Sequence, residues 1–130
     1  MKTFSVSTGK RCAFLDITRQ VAEAVEESGV AGGLAVVFVP HTTAGVTINE
    51  NADPSVQSDI IDHLERAVPR AASYAHSEGN SPAHVKASMM GSSVTVIVQD
   101  SRLVLGTWQG IYLCEFDGPR TRKVHVEVMG

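Results

Sequence analysis

The stretch GLAVVFVPHTTAGVTINENADP, residues 33–54, holds two strand signals and one helix start. Residues 34–39 are an unbroken apolar, largely β-branched run opened by Gly32 and Gly33, and they read as a strand buried on both faces. Residues 45–49 alternate apolar and polar and read as its sheet neighbour, reached through His41, Thr42 and Thr43. Asp53 followed by Pro54 starts a helix: the carboxylate accepts from the first free N–H groups, and proline sits where its missing N–H is harmless. Val56, Ile60, Leu64 and Ala67 form that helix's apolar stripe, and Pro69 lies just beyond its end.

The same reading extends outward in both directions. Residues 3–7 read as a strand with Phe4 and Val6 facing one way. Asp16 is a helix N-cap, Ile17, Val21, Ala24 and Val25 follow at helical spacing, and Gly29 closes the helix. Residues 70–81 are polar and form a loop long enough, in a chain this small, to point to function. Ser81-Pro82 starts a short helix that runs through Met89 and ends at Gly91. Residues 93–99, 103–105, 109–116 and 122–128 read as strands, with turns at Asp100-Ser101 and Asp117-Gly118. Short links between neighbouring strands make the sheet largely antiparallel. The expectation is one compact α+β domain over residues 1–130, with a twisted, largely antiparallel sheet and two main helices.

Composition narrows the classes of function. With 43% hydrophobic and 19% charged residues, the chain has a globular balance and no sign of disorder. Its net charge of -3 argues against a nucleic-acid partner, which calls for a basic face, yet leaves room for a small cationic pocket. The two cysteines, Cys12 and Cys114, form no CxxC pair and are too few for a disulfide framework; they read as core thiols in a reducing compartment. Residues 1–11 show no apolar signal segment, and the longest apolar run is far too short to span a bilayer. A cytoplasmic protein without a membrane partner is expected.

Polar chemistry is concentrated in three blocks. In residues 41–54, His41 stands where a buried strand stops, a place suited to a ligand or a base. Asn49, Glu50 and Asp53 lie between a strand and a helix N-terminus, where carboxylates can meet a cation; Asp53 equally serves as a cap and Glu50 as surface charge. In residues 76–84, His76, Glu78, Asn80 and His84 combine imidazole and carboxylate donors, but not at a zinc-finger or HExxH spacing. In residues 105–123, Trp108 is suited to core packing or to stacking on a ring, Gln109 follows it between two glycines, and Glu115 faces either inward or outward. Arg120, Arg122 and Lys123 read as solvated surface or as an anion site.

In combination, HTTAGVTINENADPSVQSDI, HSEGNSPAHVKASMMGSS and LGTWQGIYLCEFDGPRTR resemble the YjbQ-like family, which carries the name secondary thiamine-phosphate synthase. The resemblance runs from Phe4 to Val128. It implies an α+β protomer on a twisted antiparallel sheet, assembly as a homotrimer, and a pocket near a subunit interface. It implies a divalent metal, zinc above all, on His41, His76 and His84. It also implies condensation of a pyrimidine pyrophosphate with a thiazole phosphate, so that the partner is a small phosphorylated substrate. In that scheme Arg120 supports the leaving pyrophosphate, Glu50, Asp53 or Glu78 holds the pyrimidine amine or completes the metal shell, and Trp108 stacks on a ring. Asn49, Asn80 and Gln109 are the accompanying binding residues. A metabolite-binding module and a metal-dependent hydrolase remain the alternatives. The main thiamin phosphate synthases are TIM barrels, which need roughly 250 residues, so roles cannot be borrowed from them.

Overall fold

The computed structural model describes residues 1–70 and 73–130. The polar loop expected over residues 70–81 therefore includes two positions, 71 and 72, that lie outside the described residues. Strands β1 (Lys2–Ser7), β2 (Ala13–Asp16), β3 (Gly33–Phe38), β4 (Ala44–Glu50), β5 (Ser93–Gln99), β6 (Arg102–Leu103), β7 (Gln109–Glu115) and β8 (Thr121–Met129) are joined by helices α1 (Thr18–Ser28), α2 (Pro54–Ala67) and α3 (Ser81–Met90). Every pairing is antiparallel. The strands divide into a five-stranded sheet, β1-β8-β3-β5-β6, and a three-stranded sheet, β2-β7-β4. The α+β class and the antiparallel pairing are as the sequence predicts.

Three local expectations need correction. First, β3 and β4 are not neighbours: β3 pairs with β5 and β8, and β4 pairs with β7 in the other sheet. Residues 39–43 are thus a crossover between sheets rather than a hairpin. Secondly, β3 is buried on one face only. Ala35 and Val37 point into the core, while Leu34 and Phe38 are each 42% exposed on the outer face. The strand buried on both sides is β7, where Ile111, Leu113 and Cys114 are fully buried. It lies at the centre of a sheet covered on both faces, so it has no solvent side to mark in its sequence. Thirdly, β2 precedes α1 and carries no strong alternation. The helix begins at Thr18, one residue later than an Asp16 cap allows, with Asp16 Oδ1 accepting from Thr18 N at 2.9 Å. Gly29 does close it, in the left-handed region at φ 72°.

The core explains the layering. Val21 and Ala24 of α1, Val46 of β4 and Ile111 and Leu113 of β7 pack with Val37, Val96, Val124 and Val126 from the inner face of the large sheet. On the far side of the small sheet, Leu64 of α2 and Ala83 and Ala87 of α3 pack against Tyr112, Cys114 and Phe116. The free thiol Cys114 is buried and Cys12 half-buried, as expected of core thiols. Asp53 caps α2 as read, accepting from Ser55 N at 2.9 Å. Among the described residues no helix is long and apolar enough to cross a membrane.

One end of the molecule is where the chain changes sheets. Residues 39–43 lead from β3 to β4, residues 116–120 lead from β7 to β8, and α3 hands over to β5 at Gly91. Two glycines let these segments close up. A Cβ on Gly45 would stand 2.7 Å from Gly91 O, and one on Gly118 would stand 2.1 Å from Lys10 O. Irregular backbone held by two rigid sheets is a common setting for functional side chains.

Candidate functional site

At that end His41, His76, Glu78, Asn80, His84, Arg120 and Arg122 line one pocket of about 450 Å³. His41 arrives from the β3–β4 crossover, His84 from the first turns of α3, and His76 from the loop before it. The His76 and His84 rings lie edge to face with centroids 5.3 Å apart, and Glu78 Oε2 is 3.8 Å from His76 Nε2. His41 Nε2 accepts from Lys123 N at 2.9 Å, so its other nitrogen carries the proton in the neutral ring. Burial, and then the positive charge of Arg122, lower the His41 pKa and favour that neutral ring.

Two carboxylates fix the cationic side chains from behind. Glu115 is fully buried and binds Arg122 through both oxygens, with Arg122 Nε donating to Oε1 at 2.8 Å. Arg122 is 5% exposed and also donates to Thr43 Oγ1 at 2.8 Å. Burial opposes the charged form of Glu115, but hydrogen bonds from Arg122 and from Asp117 N outweigh it and lower its pKa. The inward orientation of Glu115 is thereby settled, and Arg122 belongs to the buried floor rather than to solvated surface. Asp117 repeats the device nearer the opening: its Oδ2 accepts from Asn80 Nδ2 at 2.9 Å and from Arg120 Nη2 at 3.1 Å. Again burial is outweighed, here by Asn80 and Arg120, and the pKa falls. Asn80 Oδ1 is left buried without a hydrogen-bond partner.

The remaining predicted residues are elsewhere. Asn49, Glu50, Asp53, Trp108 and Gln109 gather at the opposite end of the small sheet, where Glu50 is in register with Gln109. The seven residues of β4 separate the two ends, a span of about 20 Å. There the groups have local duties. Asn49 Oδ1 accepts from Glu50 N at 2.7 Å, Gln109 Oε1 accepts from Gly106 N at 2.8 Å, and Asp53 caps α2. Trp108 is 62% exposed, which excludes core packing. Within one protomer, then, the histidines, Glu78, Asn80 and Arg120 converge, and the ring-stacking and amine-holding candidates do not join them. The sequence reading passed over Asp117 and Thr43. Asp117 read as a turn residue and Thr43 as part of the link between two strands, and nothing in the sequence shows what they bind.

His76, His84 and Glu78 are a donor set that zinc and similar ions accept, whereas the expected ligand His41, with Nε2 accepting from Lys123 N and Nδ1 protonated, offers no free lone pair. Asn80, whose Oδ1 is buried and unpartnered, lines the same pocket. Donor chemistry therefore fits a divalent ion, although among the described residues no three His, Cys, Asp or Glu side chains stand ready around one point. Among the lining side chains the guanidinium groups of Arg120 and Arg122 stand with the carboxylates of Glu78 and Asp117, and Glu115 pairs with Arg122 from behind.

A family model described as UPF0047 protein YjbQ-like matches residues 2–130. The UPF0047 protein YugU of Bacillus subtilis is 50% identical over 131 residues, covering 100% of this chain and 99% of that one. A UPF0047 protein of Methanocaldococcus jannaschii is 51% identical over 127 residues, 98% of this chain and 92% of its own length. Among solved structures, a YjbQ/UPF0047 protein from Clostridium acetobutylicum superposes with a TM-score of 0.98 at 56% identity, covering 99% of this chain and all of that one. A YbjQ-like protein from Sulfolobus solfataricus gives 0.95 at 36% identity over 99% of this chain and 95% of its own.

Proposed function

We propose that this chain, which belongs to the UPF0047 protein YjbQ-like family, binds a small phosphorylated substrate in the histidine pocket and promotes departure of its phosphate or pyrophosphate. The observation that carries this reading is the convergence of His41, His76, His84, Asn80 and Arg120 on one pocket. His76, His84 and Glu78 would hold a divalent ion, zinc first among candidates, whereas His41, with Nε2 accepting from Lys123 N and Nδ1 protonated, has no free lone pair for it. Bound there, the ion supplies positive charge to the leaving oxygens. Arg120, steadied by Asp117, presents its guanidinium to the same oxygens and neutralises charge as the bond breaks. Neutral His41 donates through Nδ1–H or relays a proton, since its Nε2 is already accepting from the backbone.

A reaction of this type is the condensation implied by the resemblance to the secondary thiamine-phosphate synthases. The carbon–oxygen bond to pyrophosphate breaks with its electron pair on oxygen, and the thiazole nitrogen supplies the pair for the new carbon–nitrogen bond. The pocket provides for the first half. The second half lacks Trp108, Glu50 and Asp53, which lie at the other end of the protomer. Departure of the phosphate group is therefore the core of the proposal, and the acceptor is water or a second substrate.

We extend the proposal to a homotrimer. Leu34, Phe38, Ile97 and Met129 leave apolar area on the outer face of the large sheet, Ile97 being 59% exposed, and contact between copies would cover it.

Turnover tests the proposal. Phosphate and pyrophosphate esters are incubated with Zn²⁺, Mg²⁺ or Mn²⁺, and release is followed by phosphorus NMR. Release should require the ion and be lost in Arg120→Ala and in the His76→Ala, His84→Ala double variant. Release that ignores all of these changes would refute the assignment of the pocket.

A further inference from the structure

The charged pocket shares three of its residues, His41, Thr42 and His84, with a second depression of about 500 Å³. The two therefore meet along the line between His41 and His84. Chemistry changes abruptly across that line. On one side stand guanidinium and carboxylate groups. On the other, the walls are the methyl groups of Ala44 and Ala87, the backbone of Gly91, and the hydroxyls of Ser88 and Ser92, with no ionisable side chain beyond the shared histidines.

The second depression also has a fixed shape. Its floor is formed where the end of α3 presses on β4, with Val46 N donating to Gly91 O at 3.1 Å and Gly45 too close to Gly91 for any side chain. Ser88 Oγ donates to His84 O at 3.0 Å, so its lone pairs remain to accept from a ligand. Its volume is in the range of small-molecule sites.

We propose that the two depressions are two arms of one substrate cleft. The second arm takes the uncharged organic body of a phosphate ester whose charged end lies in the first arm. This inference rests on the phosphate reading and narrows its substrate class. The substrate is a mono- or pyrophosphate ester of a small neutral alcohol, ring-shaped or short-chained, carrying hydrogen-bonding groups but no second carboxylate or ammonium. The bond that breaks then lies at the waist, beside His41 and His84, where proton transfer is available. Ser88 and Ser92 are the specificity-determining positions, because their side chains border the neutral arm and lie outside the charged one.

The test compares two probes with the same charged group, inorganic phosphate and phenyl phosphate. Each is titrated calorimetrically into zinc-loaded wild type, Ser88→Phe and Ser92→Phe. Both serines are exposed, so a larger side chain need not disturb the core. In wild type, burial of the ring should make phenyl phosphate bind about tenfold tighter than phosphate. In at least one phenylalanine variant, a filled arm should bring that ratio close to one. Equal affinities in wild type, or a ratio that survives both variants, would overturn the two-armed cleft while leaving the anion pocket standing. Failure of both probes to bind wild type would overturn the phosphate reading and this inference with it.

Discussion

Asn80 donates its side-chain amide to the carboxylate of Asp117 at 2.9 Å, and this bond leaves Asn80 Oδ1 buried with no partner of its own. Asp117 holds Arg120 through the same oxygen. One carboxylate therefore ties the His76–His84 segment to the β7–β8 crossover and sets the direction of two pocket groups at once.

Asp117→Asn keeps the shape but removes the charge that both donors seek. Asn80 and Arg120 should lose their fixed positions, and zinc-dependent pyrophosphate affinity should fall about tenfold, the equivalent of one charge-assisted hydrogen bond. Thermal melting should move little, since Asp117 lies near the surface. A large melting shift with unchanged affinity would show a structural role only.

The Glu115–Arg122 pair is buried on both sides. Removing one partner leaves an unpaired charge in the floor, so Glu115→Gln and Arg122→Met should each cost about 3–5 kcal/mol in denaturant unfolding. A double change to Glu115→Leu and Arg122→Met should recover much of that loss. If the single variants were harmless, the pair would not be the foundation of the site described above.

A second charge cluster gives a pH prediction. Lys86 is 1% exposed on the buried face of α3 and pairs with Glu65, which also accepts from Arg11 at 3.0 Å and from Cys12. Burial works against a charged Glu65, but the hydrogen bonds from Arg11, Lys86 and Cys12 prevail and hold its pKa at about 2. Because the folded-state value lies below the unfolded one, the stabilisation is complete above the ordinary carboxylate range and is lost as pH falls from about 4 towards 2. Glu65→Gln should flatten that acid limb. It should also cost about 3 kcal/mol at neutral pH, the low end for a broken buried pair because Glu65 itself is partly exposed. Parallel unfolding curves at pH 4.5 and 2.5 for both proteins check this; an identical acid limb would contradict it.

The outer face of the large sheet makes assembly testable. Light scattering should give the mass of three chains, and Ile97→Lys should lower it by placing a charge in the covered area. A wild-type monomer would refute the homotrimer and leave the pocket proposal untouched.

Sequence pattern revealed elements better than their partners. The cap at Asp53, the left-handed Gly29 and the amphipathic helices depend on local geometry, and local geometry is written in consecutive residues. Whether residues 34–39 lie beside residues 45–49 depends instead on which sheet each joins, and both sheets accept the same alternation. The two-sided burial assigned to β3 belongs to β7 for a related reason: an apolar outer face on one protomer reads like core. At the site, His41, His76 and His84 were legible as donors on loops and at a helix start, and their convergence could be stated only as an implication of family resemblance. Trp108 and Glu50 were grouped with them by motif density, although a strand of seven residues separates neighbours in sequence by its whole length. Asp117 was missed because a turn aspartate and a positioning carboxylate look alike until their donors are seen.

The most direct test of the account is calorimetric titration of pyrophosphate into wild type, Arg120→Ala and Trp108→Ala, each with and without Zn²⁺. The account predicts binding to wild type and to Trp108→Ala only when the ion is present, and loss of at least tenfold in Arg120→Ala. Binding that needs no ion, survives Arg120→Ala and fails in Trp108→Ala would place the anion at the other end of the small sheet and contradict the central claim.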